Sequence, residues 1–177
     1  MKQVRILLLV FSFFLPINLF GQRAEVLLNL NKAYDKAKEA IELTVKSIEN
    51  MTDAYKHINS TSGKRFVVLI KNNLSEGIVV VKAAHDSTKR AQIAAEHMNC
   101  LPAKETACKV MQLFSEAEAA LSDALNYTTQ AREATDLTEV DQLLKQAIPP
   151  IERAVKNLNK TLDLLSEAAE QLNTCAD

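Results

Sequence analysis

A chain of 177 residues, 47% of them apolar, holds enough material for one core. Its 21 basic and 22 acidic residues leave a formal charge of −1, which argues against the clustered basic surface that nucleic-acid binding needs. Trp is absent and only 3 Gly and 4 Pro occur, so a turn-rich β architecture is disfavoured and long uninterrupted helices are expected.

The N-terminus reads as a secretory signal peptide. Lys2 and Arg5 precede an apolar run from Ile6 to Leu15, followed by Pro16 and the small residue Gly21. Cleavage after Gly21 divides the chain into a leader, 1–21, and a helical body, 22–177. A bilayer span needs about 20 apolar residues; this run is shorter and is interrupted by Pro16, so no stable membrane anchor is expected. Losing Lys2 and Arg5 takes the formal charge from −1 to −3, two units more acidic. The expected location is extracellular, or periplasmic in a bacterium, where a disulfide is permitted.

The first helix is expected at about 24–58. Leu27, Leu30, Tyr34, Ala37, Ile41, Thr44, Ile48, Met51, Tyr55 and Ile58 alternate steps of three and four, as a heptad seam does. Asn59 to Gly63 supplies turn residues, with Gly63 expected in a backbone conformation that other residues resist. The second helix, about 65–99, continues the rhythm through Val67, Ile70, Leu74, Gly77, Val81, Ala84, Thr88, Ala91, Ala95 and Met98. Its β-branched runs, 66–70 and 78–81, raise the rival reading of a hairpin. The helical phase passes through both runs unbroken.

Asn99 to Lys109, with Pro102 inside it, is the corner between two halves of similar length. A third helix, about 103–134, carries Ala107, Val110, Phe114, Ala117, Leu121, Ala124, Thr128 and Ala131 on its seam. Asp136 or Thr138 then offers an N-cap oxygen for a fourth helix, about 138–174. Its seam is Val140, Leu144, Ala147, Ile151, Ala154, Leu158, Thr161, Leu165, Ala168, Leu172 and Cys175. Four rods joined by short turns make an all-α fold, an antiparallel up-down-up-down four-helix bundle. Alternate seam positions are small, so the helices should approach closely and leave little room for a large internal cofactor.

Three cysteines remain, an odd number. Cys100 and Cys108 flank the corner and are the first expected pair. Cys108 with Cys175 is the competing connectivity, because the end of the fourth helix should return to the same end of the bundle. His57, His85 and His97 stand beside the seams rather than on them, and no Glu-x-x-His occurs, so neither metal nor haem is expected. The basic pairs Lys64-Arg65 and Lys89-Arg90 read as solvated.

Pro149-Pro150 interrupts the fourth helix without shifting its seam, a pattern that suggests a kink. Counted from one end of the bundle, Ile48, Gly77 and Ala124 fall at a similar height. Those five residues form a candidate cleft or flex layer. Asn-x-Ser/Thr occurs at Asn50, Asn59, Asn73, Asn126 and Asn159; Asn50, Asn59, Asn126 and Asn159 are the candidate glycosylation sites, pointing outward or lying in a turn.

Catalysis by Ser or Cys needs a base and an oxyanion donor, generally on loops, and these loops are too short to assemble them. The expected function is therefore non-enzymatic: a secreted bundle acting as a protein interaction or structural module, for a protein partner or a second copy. The alternatives are a carrier of a small apolar ligand or lipid, and a membrane-active helical protein working through Phe66 to Val81.

Overall fold

The computed structural model describes the backbone of residues 2–58 and 61–175 and the side chains of 21–58 and 63–175. The expected leader, apart from Gly21, and Asn59 lie outside the described side chains. Among the described residues the fold consists of four α-helices: α1 (Lys2–Lys56), α2 (Thr61–His97), α3 (Leu101–Glu133) and α4 (Leu137–Thr174). Among the described residues there is no strand. The β-branched stretch 66–81 lies wholly inside α2, because Val67, Ile70, Leu74 and Val81 all reach the core at helical spacing. Burial against neighbouring helices overrides their strand preference.

The helices pack as a ring of four neighbouring pairs. α1 lies most extensively against α2, α4 against α3, and the α1–α4 contact is the slightest. Side chains tie the pairs: Lys82 meets Glu118 at 3.3 Å, Thr106 donates to Gln171 at 2.9 Å, and Asn157 donates to Glu116 at 3.3 Å. Arg23 hydrogen-bonds Asn173, so α1 is engaged with the C-terminal end of α4 near the start of its described side chains.

Every expected seam residue of α2 and α3 is buried, and so is every one on α4 except Cys175. Polar seam residues satisfy themselves within their own helices. Thr44, Thr88 and Thr128 donate to the carbonyls of Ala40, Ala84 and Ala124 at 2.6, 3.0 and 2.7 Å, which lets a hydroxyl sit in the core unpenalised.

α1 departs from expectation. Leu30, Ala37, Thr44 and Met51 are buried as the seam requires, but their companions are Val26, Ala33, Ala40, Ser47 and Ala54. The larger Leu27, Tyr34, Ile41, Ile48 and Tyr55 are only partly buried, on the flank. Apolarity favoured the large set; close approach to α2 requires the small one.

Two turns also depart from expectation. Gly63 lies inside the first turn of α2, and no described Gly has a positive φ. Its role is steric: an added Cβ would sit 2.5 Å from the His57 carbonyl oxygen and 3.1 Å from Ile58 Cα. The left-handed residue is instead Asn99, with φ 57°. It ends α2 in a Schellman arrangement, where Cys100 N–H donates to the Ala95 carbonyl at 2.9 Å and Asn99 N–H to that of Glu96 at 3.0 Å. Lys104 bridges the turn to Glu96 at 2.6 Å, and by that hydrogen bond and its charge holds the Glu96 carboxyl below its usual pKa.

This turn decides the disulfide. Cys100 is fully buried and bonded to Cys175, with Cα atoms 5.4 Å apart. That corrects both expected connectivities, Cys100 with Cys108 and Cys108 with Cys175. Because α3 begins at Leu101, Cys108 stands about 12 Å up the helix from Cys100 at 1.5 Å per residue, beyond the roughly 7 Å limit for a bridge. Its thiol is exposed and accepts from Gln92 of α2 at 3.4 Å. At the other corner Asp136 is the N-cap of α4 and accepts from Thr138 N–H at 3.1 Å.

Gly77 is also buried, yet an added Cβ there would meet Leu121 Cδ1 at 3.7 Å, an ordinary contact. In urea unfolding, Gly77→Ala should therefore gain about 0.5–1 kcal/mol from helix propensity, whereas Gly63→Ala should lose about 1–3 kcal/mol from overpacking. Alkylation of the native, unreduced protein should label one thiol per chain, at Cys108; labelling at Cys100 or Cys175, or none, would contradict the pairing.

Candidate functional site

A recess with a volume of about 200 Å³ lies where the α1–α2 and α3–α4 connections come together. It exists because small residues meet there. Ala54 from α1, Gly63 from α2 and Ala131 from α3 present little or no side chain, so the larger walls, Val67, Val140 and Leu144, cannot close the space between them. Gly63 is held small by the returning backbone at His57. Val68 and Leu137, 37% and 43% exposed, form apolar lips.

The rim is cationic. Lys64 on the first turns of α2 and Arg132 on the last turn of α3 both line the recess and are solvent-exposed, and Thr135 adds a hydroxyl. Neither cation forms a salt bridge among the described residues. Glu133 and Glu139 line a neighbouring shallow recess that shares Ala134 and Thr135 with the first. An apolar interior below two uncommitted cations can hold an apolar group and orient a negative one.

A second, shallower recess lies between α1 and α4, lined by Leu30, Asn31, Tyr34, Leu165, Ser166 and Ala169. Tyr34 belongs to the partly buried flank of α1, and Tyr55, three heptads on, lies near Asp141 of α4. The flank thus faces α4 along its length. The Tyr55 hydroxyl oxygen is shielded from solvent with no partner among the described residues. Burial first, and Asp141 second, raise its pKa above 10.0. The phenol stays neutral in the folded state, and its contribution to stability is lost as pH climbs above that value.

The five residues of the expected layer are distributed as follows. Gly77 packs toward Leu121 of α3 and Leu43 and Thr44 of α1; Ala124 and Pro150 are buried, Ile48 is partly buried and Pro149 is exposed. None of the five lines the recesses described above. α4 continues through Pro149 and Pro150 as one helix. Lys145 and Gln146, whose carbonyls lose their helical donors to the two prolines, are exposed, so water can satisfy them.

The remaining candidates are scattered. His57 stacks on Phe66 with ring centroids 5.9 Å apart, while His85 lies 3.9 Å from Asp86 and His97 is exposed at the end of α2. No cluster of three His, Cys, Asp or Glu that could hold a metal ion occurs among the described residues. Asn126 and Asn159 are exposed on helices, and Asn50 and Asn73 are partly exposed. Lys64, Arg65, Lys89 and Arg90 are all exposed. Within 66–81 only Val68, Leu69 and Val79 are strongly exposed apolar residues; the other apolar residues of that region are partly or wholly buried. Among the described residues no helix is long and apolar enough to cross a membrane. No family model, curated protein or solved structure matches the chain.

Periodicity did not reveal the recess at the bundle end. Its signal was coincidence in space: three small residues from different helices at one height, which a single heptad register does not display.

Proposed function

We propose that this is a secreted, non-enzymatic helical bundle that serves as a protein interaction or structural module. Its helices run up-down-up-down, each antiparallel to the next. Pairing of Cys100 at the α2–α3 turn with Cys175 at the end of α4, and the meeting of the other two connections around one recess, support that direction. The disulfide fits an oxidising compartment. Engagement of Arg23 with Asn173 fits a folded body that starts just after Gly21, and glycans on Asn50, Asn59, Asn126 or Asn159 belong to this reading if the source modifies them.

One observation carries the functional reading. Leu27, Tyr34, Ile41 and Ile48 repeat at seven-residue intervals on the flank of α1, partly exposed, beside Val45 at 39% exposure, along the slightest of the four helix contacts. Apolar side chains at coiled-coil spacing that their own bundle covers only in part suit the seam of a further helix, supplied by a partner protein or a second copy.

The test is a charge placed on that flank. Val45→Glu should leave the melting temperature within about 2 °C, since an exposed substitution changes stability little, and should lower partner capture or self-association at least tenfold in cross-linking and sedimentation. Association undiminished in a well-folded Val45→Glu protein, or none in the unsubstituted protein with its natural secretion, would remove the proposal.

A further inference from the structure

We propose that the recess at the end of the bundle binds a single-chain anionic amphiphile, a carboxylate on an apolar tail of about six to eight carbons, judged against an apolar cavity of about 150 Å³ that accepts benzene. The inference is independent of the interaction surface on α1. It joins three features of one place: an apolar chamber of about 200 Å³, apolar lips at Val68 and Leu137, and two rim cations, Lys64 and Arg132, without carboxylate partners among the described residues.

Other occupants fit less well. A helix, about 10 Å across with its side chains, is too wide for a chamber of this size. A neutral hydrocarbon would fill the interior and leave the cations without use. An amphiphilic cation would bring a third positive charge to Lys64 and Arg132, and the carboxylates that would favour it, Glu133 and Glu139, line the neighbouring recess instead. A carboxylate at the mouth meets the Lys64 ammonium, the Arg132 guanidinium and the Thr135 hydroxyl on one side while its tail lies against Val67, Val140 and Leu144. Arg132 can offer two parallel N–H donors to such a group.

The chamber's size sets a length limit. Each methylene taken from water adds about fourfold in affinity until the chamber is full, after which further carbons remain at the lips and add little.

The experiment is isothermal titration calorimetry of the disulfide-bonded protein at low ionic strength, where charge contacts are least screened. The probes are hexanoate, octanoate, decanoate, octan-1-ol and octylammonium, with methyl chemical shifts of Val67, Val140 and Leu144 to locate them. Octanoate should bind once per chain, about fifteenfold tighter than hexanoate, while decanoate gains less than that over octanoate. Octan-1-ol should bind at least tenfold more weakly than octanoate, and octylammonium more weakly still. The exposed double substitution Lys64→Ala with Arg132→Ala should bring octanoate down to the alcohol's level at an unchanged melting temperature, whereas Ala131→Met, which fills the chamber, should weaken both. Absence of saturable octanoate binding, equal binding of octylammonium, or methyl shifts away from these walls would overturn the assignment.

Discussion

The interior of this bundle depends on small side chains in the places where helices come closest. Ala33, Ala37 and Ala40 on α1, Gly77 and Ala84 on α2, Ala117 and Ala124 on α3, and Ala147 and Ala154 on α4 are all buried. Such positions let helix axes approach toward the lower end of the usual range of about 8–10 Å, and the few large residues, such as Phe114, Leu121, Leu144 and Leu158, fill what remains. On α1 the same requirement puts alanines at the centre and moves larger side chains to the flank beside α4. At the bundle end it has the opposite effect: Ala54, Gly63 and Ala131 meet where no large residue reaches across, and a chamber results.

The α2–α3 turn holds the far end together. Asn99 in the left-handed conformation lets the chain reverse within a few residues and turns Cys100 inward, where it pairs with Cys175 across a sequence separation of 75. Closing a loop of that length removes roughly 4 kcal/mol of chain entropy from the unfolded state. The bond also fastens the end of α4, whose contact with α1 is the slightest of the four between neighbouring helices. The free thiol, Cys108, meets Gln92 of α2.

Much of this architecture was legible in the sequence because heptad burial is a local signal repeated many times. The seams of α2, α3 and α4 follow from spacing alone, and the β-branched run in α2 did not disturb them. On α1 two stripes one residue apart were both apolar enough, and choosing between them required knowledge of how near α2 would come. Gly63 was recognisable as a special position, but its reason is the backbone of His57 and Ile58 rather than its own dihedral angles. The cysteine pairing was not legible: it turned on the single dihedral of Asn99 and on α3 starting at Leu101, two residues earlier than expected, which carries Cys108 up a helix and out of reach. The chamber was least legible, since Lys64 and Arg132 are 68 residues apart in sequence and lie at one rim only because of how the helices fold back.

The most direct test of this account is the unfolding free energy of Ala40→Leu. If Ala40 lies on the buried stripe of α1, the three extra carbons of a leucine have no space there, and urea unfolding should show a loss of about 1–3 kcal/mol. An unchanged or increased stability would mean that α1 presents a different face to its neighbours, and the arrangement of small residues described above would be wrong.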